Sequence, residues 1–166
     1  MGFSDNEKII KEFKENFDRT SINIKDREEI EFSLLEEAAE ILGLLKKMKF
    51  HKHRDLEELE TKLILEMGDF LWYYIANLKL NKKYNWELIN VHINKEWNNF
   101  LDCRKIGTNK RVVDFVRVAE TCSLGEFFAE IIFFFESENN KKTIEVGHTF
   151  TNIMRLNTIK LKERYK

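Results

Sequence analysis

Three observations predict an all-α fold: the 166-residue chain has no proline, it has six glycines, and its apolar residues recur at three- and four-residue spacings. Sheets and hairpins need turn residues that are scarce here. The length suits one domain with a sizeable core, read as residues 1–166.

The helices carry start signals. Ser4-Asp5-Asn6-Glu7 has the spacing of a capping box, and Ile9, Ile10, Phe13 and Phe17 follow on one face, predicting a first helix over about 5–19. Asp26 with Glu29 repeats the signal and starts a second helix, to about 48. Asp55 with Glu58 starts a third, to about 80. A fourth covers about 84–103, and Ile106-Gly107-Thr108-Asn109 reads as the loop that ends it. Helices over about 111–136, with a break near Ser123, and over about 143–164 complete the chain.

Composition narrows the function classes. With 28 basic and 29 acidic residues the formal charge is −1, so no global field favours nucleic acid or an anionic membrane. Cys103 and Cys122 stand in no metal-type or redox-type spacing and read as reduced thiols. The most apolar run, Phe127 to Phe135, is interrupted by Glu130 and is far shorter than the ~18 residues of a membrane span. No apolar leader follows Met1. The expectation is a cytoplasmic protein with neither nucleic acid nor membrane as partner.

Against this background two short motifs stand out, Glu37-Ala38-Ala39-Glu40 and Glu66-Met67-Gly68-Asp69. At about 100° per residue, Ile41, Leu34, Leu45 and Leu44 all fall within about 80° of Glu37, and Glu40 about 60° away. Leu59, Leu63, Phe70 and Tyr73 surround Glu66 in the same way, again with the second acid about 60° away. Glu36 falls toward the solvent edge. An antiparallel helical pair sets residues equidistant from its turn at equal height, and the two motifs lie equally far on either side of His53. Four acids on apolar faces cost several kcal/mol each if left unpaired, so a cation belongs between them. With no histidine or cysteine in the set, the donors are all oxygen, which suits Mg²⁺ or Mn²⁺. Such ions bridge substrate phosphates and acidify a bound water, so phosphate hydrolysis is the natural chemistry. The competing reading pairs these acids with helix lysines.

Other features read more plainly. Gly68, costing about 1 kcal/mol in a helix interior, permits a close neighbouring helix beside the acids. Trp72, Tyr73, Tyr74, Trp86 and Trp97 are mostly core candidates, with Trp72 the choice for contacting a base. His51 and His53, with Lys46, Lys47, Lys49, Lys52 and Arg54, form a solvated basic helix end. Glu120, Glu126 and Glu130 do not repeat the two acidic motifs.

Glu36-Glu37-x-x-Glu40, followed by Glu66-x-x-Asp69 running into Phe70-Leu71-Trp72-Tyr73-Tyr74, resembles the MazG-like all-α nucleoside triphosphate pyrophosphohydrolases, which include the dimeric dUTPases and dCTPases. The resemblance covers roughly 30–100. It implies an antiparallel bundle with a metal-binding core at about 26–103, additional helices at about 104–166, and assembly as a homodimer or higher homo-oligomer. It also implies Mg²⁺ held by Glu37, Glu40, Glu66 and Asp69, with Glu36 at the periphery, one of these acids orienting the attacking water, and cleavage of an NTP or dNTP to NMP and pyrophosphate.

The family places a lysine with asparagine, arginine or aromatic neighbours one helix later. Asn94-Lys95 with Phe100 stands at that distance but lacks the arginine, while Asn157, Lys160, Arg164 and Tyr165 match more closely and lie farther along. The two segments follow Lys82-Lys83 and Lys141-Lys142 and echo each other. Two explanations stand: an insertion at about 104–142, or a degenerate internal duplication whose second half supplies the basic residues. Asn94, Lys95, Lys160, Arg164 and Trp72 are therefore the substrate-binding candidates. Two other functions fit the sequence: a non-catalytic helical interaction protein that retains the bundle, and a hydrolase of another phosphorylated molecule.

Overall fold

The computed structural model describes residues 3–51, 55–106, 123–139 and 149–164. Among these it forms six α-helices and no strand: α1 (Phe3–Thr20), α2 (Glu28–Phe50), α3 (Leu56–Ala76), α4 (Trp86–Ile106), α5 (Leu124–Asn139) and α6 (Thr149–Arg164). A 3₁₀ turn (Ser21–Asn23) follows α1, and a π turn (Asn77–Asn81) extends α3. No described helix is long and apolar enough to cross a membrane. His53, the Gly107-Thr108-Asn109 loop, Glu120, Cys122, Lys141-Lys142 and Tyr165 lie outside the described residues, as does the predicted stretch 111–122 ahead of α5.

Short polar side chains place the helix starts. The Asp26 carboxylate accepts the Glu28 N–H at 2.9 Å at the entry to α2. Asp55 accepts the N–H groups of Glu57 and Glu58 at 3.0 and 3.2 Å at the start of α3. Asn85 accepts the Leu88 N–H at 2.9 Å ahead of α4. Each satisfies an amide that the first turn leaves without an intrahelical acceptor. Between α3 and α4, Lys83 adopts φ 57°, the left-handed conformation that turns the chain after the π segment.

The principal packing runs α4–α5–α2–α3–α6–α1. α2 and α3 form the predicted hairpin, burying Ile30, Ile41 and Met48 against Leu63, Met67 and Leu71. α6 lies on the opposite flank of α3, and α1 covers α6 while its Phe17 reaches the Trp72 ring, centroids 4.9 Å apart.

Two glycines set how closely the layers approach. A Cβ on Gly68 would stand 3.1 Å from Asn157 Cβ and 3.4 Å from the Ile153 carbonyl oxygen, so the missing side chain seats α6 directly on the acidic motif of α3. A Cβ on Gly125 would stand 2.2 Å from the Glu96 carbonyl oxygen and 2.7 Å from the Phe100 nitrogen. At that crossing the buried Glu96 carboxylate accepts Ser123 Oγ–H at 2.6 Å and the Gly125 N–H at 2.8 Å. Arg104 adds a two-pronged pair with Glu136 at 2.8 and 2.9 Å. α4 is thereby committed to α5.

Candidate metal centre

Glu37, Glu40 and Glu66 each bring one carboxylate oxygen within 4.8 Å of the other two. The cause is local. Glu37 and Glu66 project from the buried stripes of α2 and α3, flanked by Ala38, Ile41, Met67 and Phe70. Glu40, one turn after Glu37, is exposed and closes the cluster from the solvent side. Glu36 is exposed, as its helical phase predicts.

Two buried oxygens, Glu37 Oε2 and Glu66 Oε2, have no hydrogen-bond partner. Among the described residues no lysine or arginine forms an ion pair with Glu37, Glu40 or Glu66. Buried anions without compensation raise the free energy of the site until a proton or a cation supplies it. Burial first, then the charges of Asp69, Glu40 and Glu66, pushes the Glu37 carboxyl up to about 8. Burial, with a hydrogen bond to Glu40 and the charges of Glu40 and Asp69, pushes Glu66 up to about 7, against the lowering effect of Lys160. The orphaned oxygens and all-oxygen donors fit a hard divalent cation held by Glu37, Glu40 and Glu66.

Asp69, the fourth acid of the two motifs, meets a cation and an amide from α6. Its Oδ1 accepts the Asn157 amide at 3.0 Å, and its Oδ2 is paired with Lys160 Nζ. It therefore stands beside the three-carboxylate cluster, feeding it negative charge and holding a lysine next to it. The contact over Gly68 that lets α6 approach α3 is what allows this pairing.

Of the two lysine–asparagine segments, the structure brings the later one to the acids. Lys160 and Asn157 meet Asp69 from α6, and Arg164, one turn beyond, is exposed. Asn94 and Lys95 are exposed on α4, whose principal partner is α5. Trp72 is buried with its ring 4.9 Å from Phe17 and 5.0 Å from Tyr73, so it serves the core and is closed to a stacked base. Lys14 and Lys79 each lie over the Trp86 ring, and Trp97 stacks on Phe100.

Tyr73 and Ser33 also border the acids, a pair that the two acidic motifs do not include. Tyr73 is raised by burial and by the charges of Glu37, Glu29 and Asp69, while a hydrogen bond with Ser33 opposes the rise. The phenol and the Ser33 hydroxyl thus border the acids. The signal was available, since Ser33 lies one turn before Glu37 and Tyr73 shares the face of Glu66.

Compared with protein-family models, with curated proteins and with solved structures, the chain matches none.

Proposed function

We propose that this chain is a Mg²⁺-dependent nucleotide pyrophosphohydrolase, converting an NTP or dNTP and water into NMP and pyrophosphate. The observation that carries the hydrolase reading is the three-carboxylate cluster with two unpartnered buried oxygens, flanked by a lysine held on Asp69. The choice of nucleotide rests on the likeness of the two acidic motifs to the MazG-like enzymes.

In this reading Glu37, Glu40 and Glu66 hold the ion, Mg²⁺ or Mn²⁺, which supplies a polarised phosphoryl oxygen and an acidified water. Lys160, positioned by Asp69, offsets phosphate charge, and Arg164 extends that positive edge along the same helix. Asn157 fixes the Asp69 carboxylate so that the lysine has one direction of approach. Lys95 and Asn94, on the far helix pair, take no part.

The test is pyrophosphate release from each NTP and dNTP with Mg²⁺. At least one nucleotide is expected to turn over, and Glu66→Gln is expected to lower the rate by about 100-fold or more, the equivalent of a few kcal/mol of transition-state stabilisation. No release above the Glu66→Gln background for any nucleotide would sink the proposal.

A second reading has one observation in its favour. Asp69 is already paired with Lys160, as a non-catalytic helical interaction protein would have it. That reading has no use for the unpartnered oxygens of Glu37 and Glu66.

A further inference from the structure

Trp86, the first residue of α4, is half-buried, and the Phe17 ring meets it edge-on with centroids 5.5 Å apart and planes at 87°. Two cations from different elements converge on this indole. Lys14 of α1 and Lys79 of the π turn hold their ammonium groups over the ring, 5.5 and 5.4 Å from its centroid, and both lysines are half-buried. Among the described residues neither forms an ion pair. Asp18, one turn beyond Lys14, and Glu87, next to Trp86, are exposed and bridge to neither lysine. The ring quadrupole attracts each ammonium but leaves its charge in place. The two distances put the ammoniums no more than about 11 Å apart, close enough to repel. Lys79 owes its position to the π turn Asn77–Asn81, a rare distortion that collects at functional places in helices. Exposed Lys82 and Lys83 follow that turn and add to the positive potential on the same side.

We propose that Lys14, Trp86 and Lys79 form a binding site for a small, multiply charged phosphate anion, built from other residues than the candidate metal centre. Two ammoniums fixed at one ring call for an anion that carries at least two charges and presents oxygens in several directions. Phosphate and pyrophosphate do so, and lysine meets them as a point charge. The indole keeps water from one side of each ammonium, which strengthens the attraction to an arriving anion. Because the ring already holds both side chains in place, binding loses less rotamer freedom than it would at free surface lysines. Inorganic phosphates and the phosphate chain of a nucleotide share this chemistry. The inference stands independently of the proposed hydrolysis.

Tryptophan fluorescence of the full-length protein, freed of metal and chelator and titrated with pyrophosphate to ~10 mM at constant ionic strength, tests it. A saturable change is expected, because an anion that draws the ammoniums from the ring alters the indole's surroundings. Trp86→Phe should abolish it although Trp72 and Trp97 remain. Lys14→Met and Lys79→Met keep the apolar stems and should each raise the dissociation constant at least ~10-fold, with circular dichroism unchanged. Lys160→Met, beside the metal centre, should leave it within about threefold, which separates this site from the proposed chemistry. Succinate, a dianion without phosphate, should bind at least ~10-fold more weakly than pyrophosphate. The tighter of pyrophosphate and ADP, compared by calorimetry, then names the source of the phosphates. No saturable change, a change that survives Trp86→Phe or both lysine variants, a change lost in Lys160→Met, or succinate binding as tightly as pyrophosphate overturns the proposal.

Discussion

Metal-free protein should lose stability as the pH rises from about 5 to about 8.5, and Glu37→Gln should remove the larger share of that loss, the raised Glu66 carboxyl keeping the remainder. The Glu37 carboxyl titrates near 4.5 in an unfolded chain and near 8 in the folded one. Between those values the folded state holds a proton that the unfolded state has released, so raising the pH favours unfolding. The contribution is fully present below about 4.5 and gone above about 8. For a shift of this size at a buried group the loss is on the order of 2–4 kcal/mol. Glutamine keeps the shape and the neutral form, so the variant should match the wild type near pH 5 and exceed it at pH 8.5. Thermal melts in a chelator across that range measure the effect. A wild-type melting temperature that rises over the window, or a Glu37→Gln profile parallel to the wild type, would contradict it. Saturating Mg²⁺ should narrow the gap at high pH, because ligand that binds only the folded state stabilises it by mass action.

Gly125→Ala should be among the most damaging single substitutions in the chain, costing about 3 kcal/mol or more. The added carbon would lie 2.2 Å from one backbone atom of α4 and 2.7 Å from another, and neither can rotate away as a side chain would. Relief requires α4 and α5 to separate, which stretches the hydrogen bonds from Ser123 and Gly125 to Glu96. It also loosens the packing around Phe100 and Phe127. The gain of about 1 kcal/mol from replacing a helical glycine is too small to offset this. Urea unfolding gives the value, and a loss under about 1 kcal/mol would mean that the crossing has room to spare.

Much of this arrangement was legible in the sequence. Periodicity and capping residues give the α2–α3 hairpin, with boundaries within a few residues, because both report local physics. The same periodicity identifies Glu37 and Glu66 as the enclosed acids and Glu36 as the exposed one. Gly68 signalled a close neighbour, and α6 is that neighbour. The departure of α4 toward α5 was not legible, since it depends on Glu96 meeting Gly125 across a long stretch of chain. A trace existed: Glu96 falls within the buried Ile89, Ile93 and Phe100 stripe, where an acid needs a donor. The pairing of Asp69 with Lys160 was hidden for a similar reason. Helical phase places a carboxylate on a face but does not say which cation from another helix arrives there first.

Calorimetric titration of chelator-treated protein with Mg²⁺, repeated with Mn²⁺, addresses the central claim, that Glu37, Glu40 and Glu66 are gathered to hold a divalent cation. Saturable binding in the wild type that is lost in Glu66→Gln, with the folded state intact, is the predicted result. Absence of binding, or binding that survives Glu66→Gln unchanged, would contradict the claim and leave the acids as buried charges of a helical interaction protein.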